Sequence, residues 1–185
     1  GVGKSATAYN LAAELKWAQL SVELVTEYVK GKMYEGSFNT LDHQMYVFGK
    51  QLHYIKRCAK DVDIIVQDAS LLNSLIYNKD KTSNQFKQLV FQEFERFANV
   101  NLYIERDWPY DPVGREQTEE EAEALDQQIL DMLDKLDLDY ITFKSGPENI
   151  TAILDHIEYN VTFSSLWSPD CRSEVSNQLR DRIVA

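Results

Sequence analysis

An α/β fold, with a mainly parallel sheet covered on both faces by helices in three layers, is what this sequence predicts. Three observations carry that prediction. Short apolar runs that end in polar residues alternate along the chain with longer segments whose apolar residues recur at helical spacing. Gly1-Val2-Gly3-Lys4-Ser5 opens one of those helical segments, a pattern in which backbone N–H groups and a helix N-terminus cradle phosphate oxygens. The 185 residues, 44% of them apolar, supply one ordinary hydrophobic core.

Taken in order, residues 6–19 lack glycine and proline and show helical spacing, and the run VELVTE over 22–27 reads as a strand. Leu41, Met45, Phe48, Leu52 and Ile55 give one apolar face to a helix over 41–60, and VDIIVQD over 62–68 is a buried strand that ends in an acid. A helix over 83–97 and a strand over 100–104 lead into a polar loop with Pro109, Pro112 and Gly114. Thr118 with Glu121 three residues on is a capping box, after which Ala122, Leu125, Ile129, Leu133 and Leu136 line one helix face. A strand over 140–143 and a helix over 148–159 complete the alternation. Residues 1–160 are therefore expected to form one phosphate-loop domain, and 161–185 an appended segment. A full loop reads G-x-x-x-x-G-K-[ST], so its first glycine and the strand feeding it are expected before residue 1.

The formal net charge of −11 argues against a protein that coats nucleic acid, which needs clustered Lys and Arg. Cys58 and Cys171 lie far apart, outside any metal or redox spacing, and this fits a reduced cytoplasmic setting. No run of apolar residues is long enough to suggest a membrane span.

The chemistry concentrates at strand ends and at the loop. Gly1, Val2, Gly3, Lys4, Ser5 and Ala6 form the expected nucleotide cradle, with Lys4 reaching the β/γ-phosphates and Ser5 ligating Mg²⁺. Asp68, after four residues of which three are apolar, is the candidate second organiser of the metal; strand-end acids also cap helices. Glu27, where the second apolar run gives out, is placed to take a proton from an acceptor hydroxyl or, equally, to cap a turn or form a salt bridge. Gln44 and Gln51 share a helix face and either amide suits the edge of a base, the alternative being that both are solvated. Tyr28, Tyr34, Phe38 and Tyr46 suit stacking on a planar ring, or the core. Arg106 and Arg115 flank the Pro- and Gly-containing loop as candidate lid cations over a transferring phosphate, against the alternative of solvated salt bridges. Glu119, Glu120 and Glu121 occupy a first helical turn, where negative charge complements the macrodipole, and His43, His53 and His156 show no metal spacing.

Over most of residues 1–159 the sequence resembles the AAA-type ATPase/kinase domain proteins common in bacteriophages, which are similar to the ribosylnicotinamide kinase domain of bacterial NAD-salvage enzymes. The segments carrying the resemblance are GVGKS, VELVTEYVKGKMYEG, NTLDHQMYVFGKQ, DIIVQDASLL, NLYIERDWPYDPVGREQTEEEAEALD and YITF. The resemblance implies a P-loop kinase fold using ATP and Mg²⁺, with Asp68 at the Walker B position, a lid around Arg106 to Arg115, and the host-cell cytoplasm as the setting if the chain is phage-encoded. Glu27 and Gln44 resemble, by position, the catalytic glutamate and base-reading glutamine of more distant deoxynucleoside kinases. Asp68 is followed by Ala69-Ser70, where family members commonly show Ser-Pro or Thr-Asp.

Three functions compete. The first is a kinase transferring the γ-phosphate to a nucleoside, nucleotide or ribosylnicotinamide-like small molecule, with Tyr28, Gln44 and Glu27 on the acceptor, and Lys30 and Lys32 available to a phosphate-bearing one. The second is a kinase acting on DNA or on a modified base within it, against which the acidic balance weighs. The third is an NTP-dependent switch or partner-binding module. A small-molecule acceptor is the expected partner, with no membrane, and a homodimer is left open.

Overall fold

The computed structural model describes residues 3–78, 82–105 and 118–163. Its first element is a helix over Lys4–Trp17 (α1). The helix ends in a Schellman motif: Gln19 takes a left-handed conformation (φ 63°), Gln19 N–H donates to Lys16 O, and Leu20 N–H reaches back to Leu15 O at 3.2 Å. Leu15 and Leu20 are both buried in the same core, which supplies the apolar contact that this cap requires. The chain then enters a strand over Val22–Val25 (β1).

Glu27 caps a short helix over Tyr28–Tyr34 (α2), and a single turn follows over Phe38–Leu41 (α3). The sequence pattern shows neither, because a seven-residue helix containing Gly31 offers too few turns for a periodicity to register. The strand expected to reach residue 27 therefore stops at Val25, and the helix expected from residue 41 starts at Gln44, running to Lys56 (α4). A strand over Ile64–Gln67 (β2), a turn of helix over Asn73–Ile76 (α5) and a helix over Asn84–Glu95 (α6) follow. Next come a strand over Leu102–Glu105 (β3), a helix over Glu119–Lys135 (α7) and a strand over Ile141–Lys144 (β4). A 3₁₀ turn over Pro147–Asn149 leads into a helix over Ile150–Phe163 (α8).

The capping box at α7 forms in full: Glu121 N–H donates to Thr118 Oγ1 at 3.3 Å and Thr118 N–H to Glu121 Oε2 at 2.9 Å. The first turn carries Glu119, Glu120 and Glu121, and bonds to its own backbone N–H and to Thr118 hold the Glu120 carboxyl below its usual range. The far end repeats the α1 device, with Asp137 left-handed (φ 52°) and Leu138 N–H on Leu133 O at 3.1 Å.

All strand pairing is parallel, as expected, but among the described residues it forms two pairs rather than one sheet. β1 pairs with β2 in the register Val22 to Ile64 and Val25 to Gln67, and β3 pairs with β4, Leu102 to Ile141 and Glu105 to Lys144. Alternate residues of β2 enter different cores. Ile64 and Val66 pack with Ala8, Leu11 and Leu15 of α1 and with Ile153 and Ile157 of α8, where Leu102 and Phe143 of the other pair also lie. Ile65 packs with Phe48 and Ile55 of α4, Val90 of α6 and Leu133 of α7. Leu15, Ile55, Val90 and Ile153 are fully enclosed, and each contributes about 1.5–3 kcal/mol by leaving water. Neighbouring residues of β2 therefore enter separate cores, one shared with α1 and α8 and the other with α4, α6 and α7.

Candidate functional site

Gly3 caps α1 in a left-handed conformation, φ 76° and ψ 7°. Its lack of a side chain matters twice, because a Cβ there would also sit 2.4 Å from Ser145 Cβ and 2.6 Å from Ser145 Oγ. The turn after β4 thus presses directly against the phosphate-loop glycine. Ser145 is buried and its hydroxyl has no hydrogen-bond partner.

From this turn Lys4 projects between two carboxylates, its Nζ lying 4.0 Å from Glu27 Oε2 and 3.9 Å from Asp68 Oδ1. At those separations the ammonium is attracted to both without being hydrogen-bonded to either, so it is free to move onto an incoming polyanion. Ser5 Oγ donates to Asp68 Oδ2 at 2.7 Å. Asp68 is only 3% exposed, and its Oδ1 accepts no hydrogen bond. A buried carboxylate with an unspent oxygen is costly unless a cation completes it. Asp68 N–H donates to Val25 O at 3.1 Å, which holds the acid beside the end of β1. Asp68 is thus aimed at α1, and it does not serve as a helix cap: the next helix is capped at Leu72.

Glu27 is the N-cap residue of α2 by backbone, yet its side chain makes no capping bond. Its carboxylate turns to Lys4 instead. The N–H of the first helical residue is met from elsewhere: Tyr28 N–H donates to Gln51 Oε1 at 2.9 Å, and Gln51 Nε2 donates to Thr26 O at 3.3 Å. Gln44 and Gln51 are both buried, which removes the alternative of two solvated amides. Gln51 spends its amide on the backbone of its own chain and is not available to a base edge. Gln44 sits buried at the first residue of α4.

The aromatic group divides. Tyr28 is buried and meets Tyr46 and Tyr54 edge to face, each at 6.0 Å between ring centres, and its hydroxyl donates to Tyr46 Oη at 3.4 Å. Burial, reinforced by that bond, pushes the Tyr28 hydroxyl up to about 12, while accepting the bond, helped by the charge of Lys50, brings Tyr46 down. Tyr34, Phe38 and Tyr46 are exposed, so the alternative of a shared core holds for Tyr28 alone. Each ring of the tyrosine row has a cation over it: Lys32 over Tyr28, Lys50 over Tyr46 and Arg57 over Tyr54, at 5.7, 5.4 and 4.8 Å. Lys32 also pairs with Glu35. Ala6 is exposed in the first turn of α1, whereas Gly1, Val2, Arg106 and Arg115, with the expected lid, lie outside the described residues.

Sequence reasoning thus names Lys4, Ser5, Asp68 and Glu27, and the fold brings all four together. It does not name Ser145 or the role of Gln51. The signal for Ser145 is faint: Ser145-Gly146 directly follows a strand, a position that in a parallel fold falls on the ligand-facing edge. Among the described residues no helix is long and apolar enough to cross a membrane.

No curated protein and no solved structure matches the chain. Residues 1–149 match the family model described as AAA domain, and with its lysine, serine and aspartate converging at the start of α1 the chain belongs to that family of nucleotide-binding P-loop NTPases.

Proposed function

We propose that the chain is an ATP-dependent phosphotransferase acting on a small nucleoside, nucleotide or ribosylnicotinamide-like acceptor, within a three-layer α/β/α kinase fold. The observation that carries this reading is Glu27: a carboxylate at the end of β1, not engaged in capping, 4.0 Å from the phosphate-loop lysine. A hydroxyl acceptor must lose its proton as it attacks the γ-phosphorus, and Glu27 is a carboxylate beside the phosphate-loop lysine that can take it. An attacking water would need the same help, so a panel of acceptors separates transfer from hydrolysis.

The residues fit a magnesium ion. Among the described residues no three His, Cys, Asp or Glu side chains converge as a metal cage, and Mg²⁺ typically takes one or two protein oxygens and the phosphates of its nucleotide. Ser5 Oγ and the unspent Oδ1 of Asp68 are those oxygens. Held by Ser5 and Asp68, such an ion would supply positive charge to the phosphates during transfer. Lys4 leaves its two carboxylates for the same phosphates. The acceptor oxygen gives its proton to Glu27 as it bonds to the γ-phosphorus, and the bond from that phosphorus to the β-bridging oxygen breaks, leaving ADP.

ATP turnover by wild type and Lys4→Ala, measured against nucleosides, nucleoside monophosphates, ribosylnicotinamide and single-stranded DNA, tests the proposal. Phosphorylation of one small molecule, reduced on the order of 10²–10³-fold in Lys4→Ala, is expected. ATP binding with no acceptor phosphorylated would favour the switch reading instead.

A second reading, a kinase acting on DNA, is supported by the row of tyrosines and cations along α2 and α4. Aromatic rings interleaved with Lys and Arg suit single strands, and affinity for single-stranded DNA that falls steeply with salt is its test.

A further inference from the structure

The two peptide planes that flank Glu27 are held by one side chain. Thr26 O belongs to the plane before Glu27 Cα and Tyr28 N to the plane after it, and Gln51 binds both, donating to the first at 3.3 Å and accepting from the second at 2.9 Å. Backbone rotation at a residue is the relative rotation of those two planes. With both held, φ −67° and ψ 123° at Glu27 are set, and with them the direction of its Cα–Cβ bond.

The clamp is rigid at its own base. Gln51 lies in the middle of α4, on the face it shares with buried Phe48 and Ile55, and is itself only 6% exposed. Its amide orientation is dictated by chemistry, since an N–H can only meet the carbonyl oxygen of the amide and a C=O only its nitrogen. The bond to Tyr28 N–H also satisfies one of the donors that the start of α2 leaves without an intrahelical partner. A capping side chain at residue 27 would address the N–H groups two or three positions on; Glu27 makes no such bond, and its carboxylate lies beside Lys4.

We infer that Gln51 is a positioning residue for Glu27, holding the carboxylate where an acceptor hydroxyl is deprotonated. The inference rests on the proposed role of Glu27 as the base. Gln51 itself touches neither nucleotide nor acceptor, and acts through the backbone it clamps.

The test compares Gln51→Leu, Gln51→Glu and Glu27→Gln with wild type in γ-phosphate transfer from MgATP to the panel of nucleosides, nucleoside monophosphates and ribosylnicotinamide. Amide hydrogen exchange at Tyr28 is followed in parallel. Gln51→Leu should lower kcat about 10–10²-fold, the loss that a displacement of about 1 Å produces, with the KM for ATP unchanged and Tyr28 N–H exchanging faster. Since Gln51→Leu strands two buried backbone groups, Gln51→Glu is the second variant. It keeps an oxygen facing Tyr28 N–H and loses the donor to Thr26 O, which the protonated carboxyl restores, so its rate relative to wild type should rise as pH falls. If Glu27→Gln abolishes transfer while both Gln51 variants keep the wild-type kcat, the inference is overturned and the base reading stands. If Glu27→Gln is as fast as wild type, or wild type transfers to nothing in the panel, the base reading itself fails and takes the inference with it.

Discussion

The pair β1–β2 and the pair β3–β4 have the same backbone plan: four residues against four, parallel, with one strand of each entered from a helix that ends in a left-handed, non-glycine residue. Their carboxyl ends differ. Just past β1 and β2 stand Glu27 and Asp68, both within 4.0 Å of Lys4, whereas β4 runs into Ser145, neutral, buried and pressed on Gly3. Parallel pairing brings strand ends to one edge, and the residue one or two positions beyond each strand decides what that edge does. The ends of β1 and β2 bring two carboxylates beside Lys4, and the end of β4 brings a neutral side chain against the phosphate-loop glycine.

The largest effect that would break this comparison belongs to Asp68→Asn. It keeps the shape of the end of β2 and removes its charge, and we expect transfer to fall on the order of 10²–10³-fold. A magnesium titration of the residual activity checks the cause, because the midpoint should move to higher metal concentration. An unchanged midpoint would detach Asp68 from the metal.

Gly3→Ala attacks the other pair. The new methyl meets Ser145 Cβ at 2.4 Å and must also adopt a left-handed φ, for which the conformational cost alone is about 1–2 kcal/mol. We expect nucleotide affinity to drop at least about tenfold, the equivalent of 1.4 kcal/mol. Adding Ser145→Gly should recover part of the loss by relieving the contact while leaving the backbone strain. Full recovery, read by nucleotide titration, would show that contact alone matters; no recovery would mean that Ser145 does not shape the loop.

The smallest effect sharpens the likeness between the pairs. Gln19→Gly and Asp137→Gly each place the residue best suited to a left-handed cap at matching points before β1 and β4. Both should raise stability in urea unfolding by up to about 1 kcal/mol, and by similar amounts. Unequal gains would show that the two helix ends are not equivalent.

Much of the site is legible in the sequence because its members are marked by local context. Lys4 and Ser5 follow a glycine and open a helix, and Asp68 closes an apolar run. Glu27 is half legible: the pattern places it at a strand end but cannot choose between cap, salt bridge and base, and only the fold shows its side chain making no capping bond and lying beside Lys4. Gln51 is misread for the same reason. On a helical wheel it is a polar residue beside Gln44, and only the packing of α4 against the start of α2 makes it a buried clamp.

By itself the sequence determined the alternation of strands and helices, the capping box at Thr118 and the phosphate-loop residues, since apolar periodicity and hydrogen bonds between near neighbours are written in order along the chain. The tertiary structure alone decided that the strands among the described residues form two pairs, that Glu27 turns to Lys4, that Ser145 closes on Gly3 and that Tyr28 is the buried member of its aromatic group. Each of those depends on which distant segment arrives to fill a given space. Local pattern states which face of an element is apolar, and leaves open which other element will cover it.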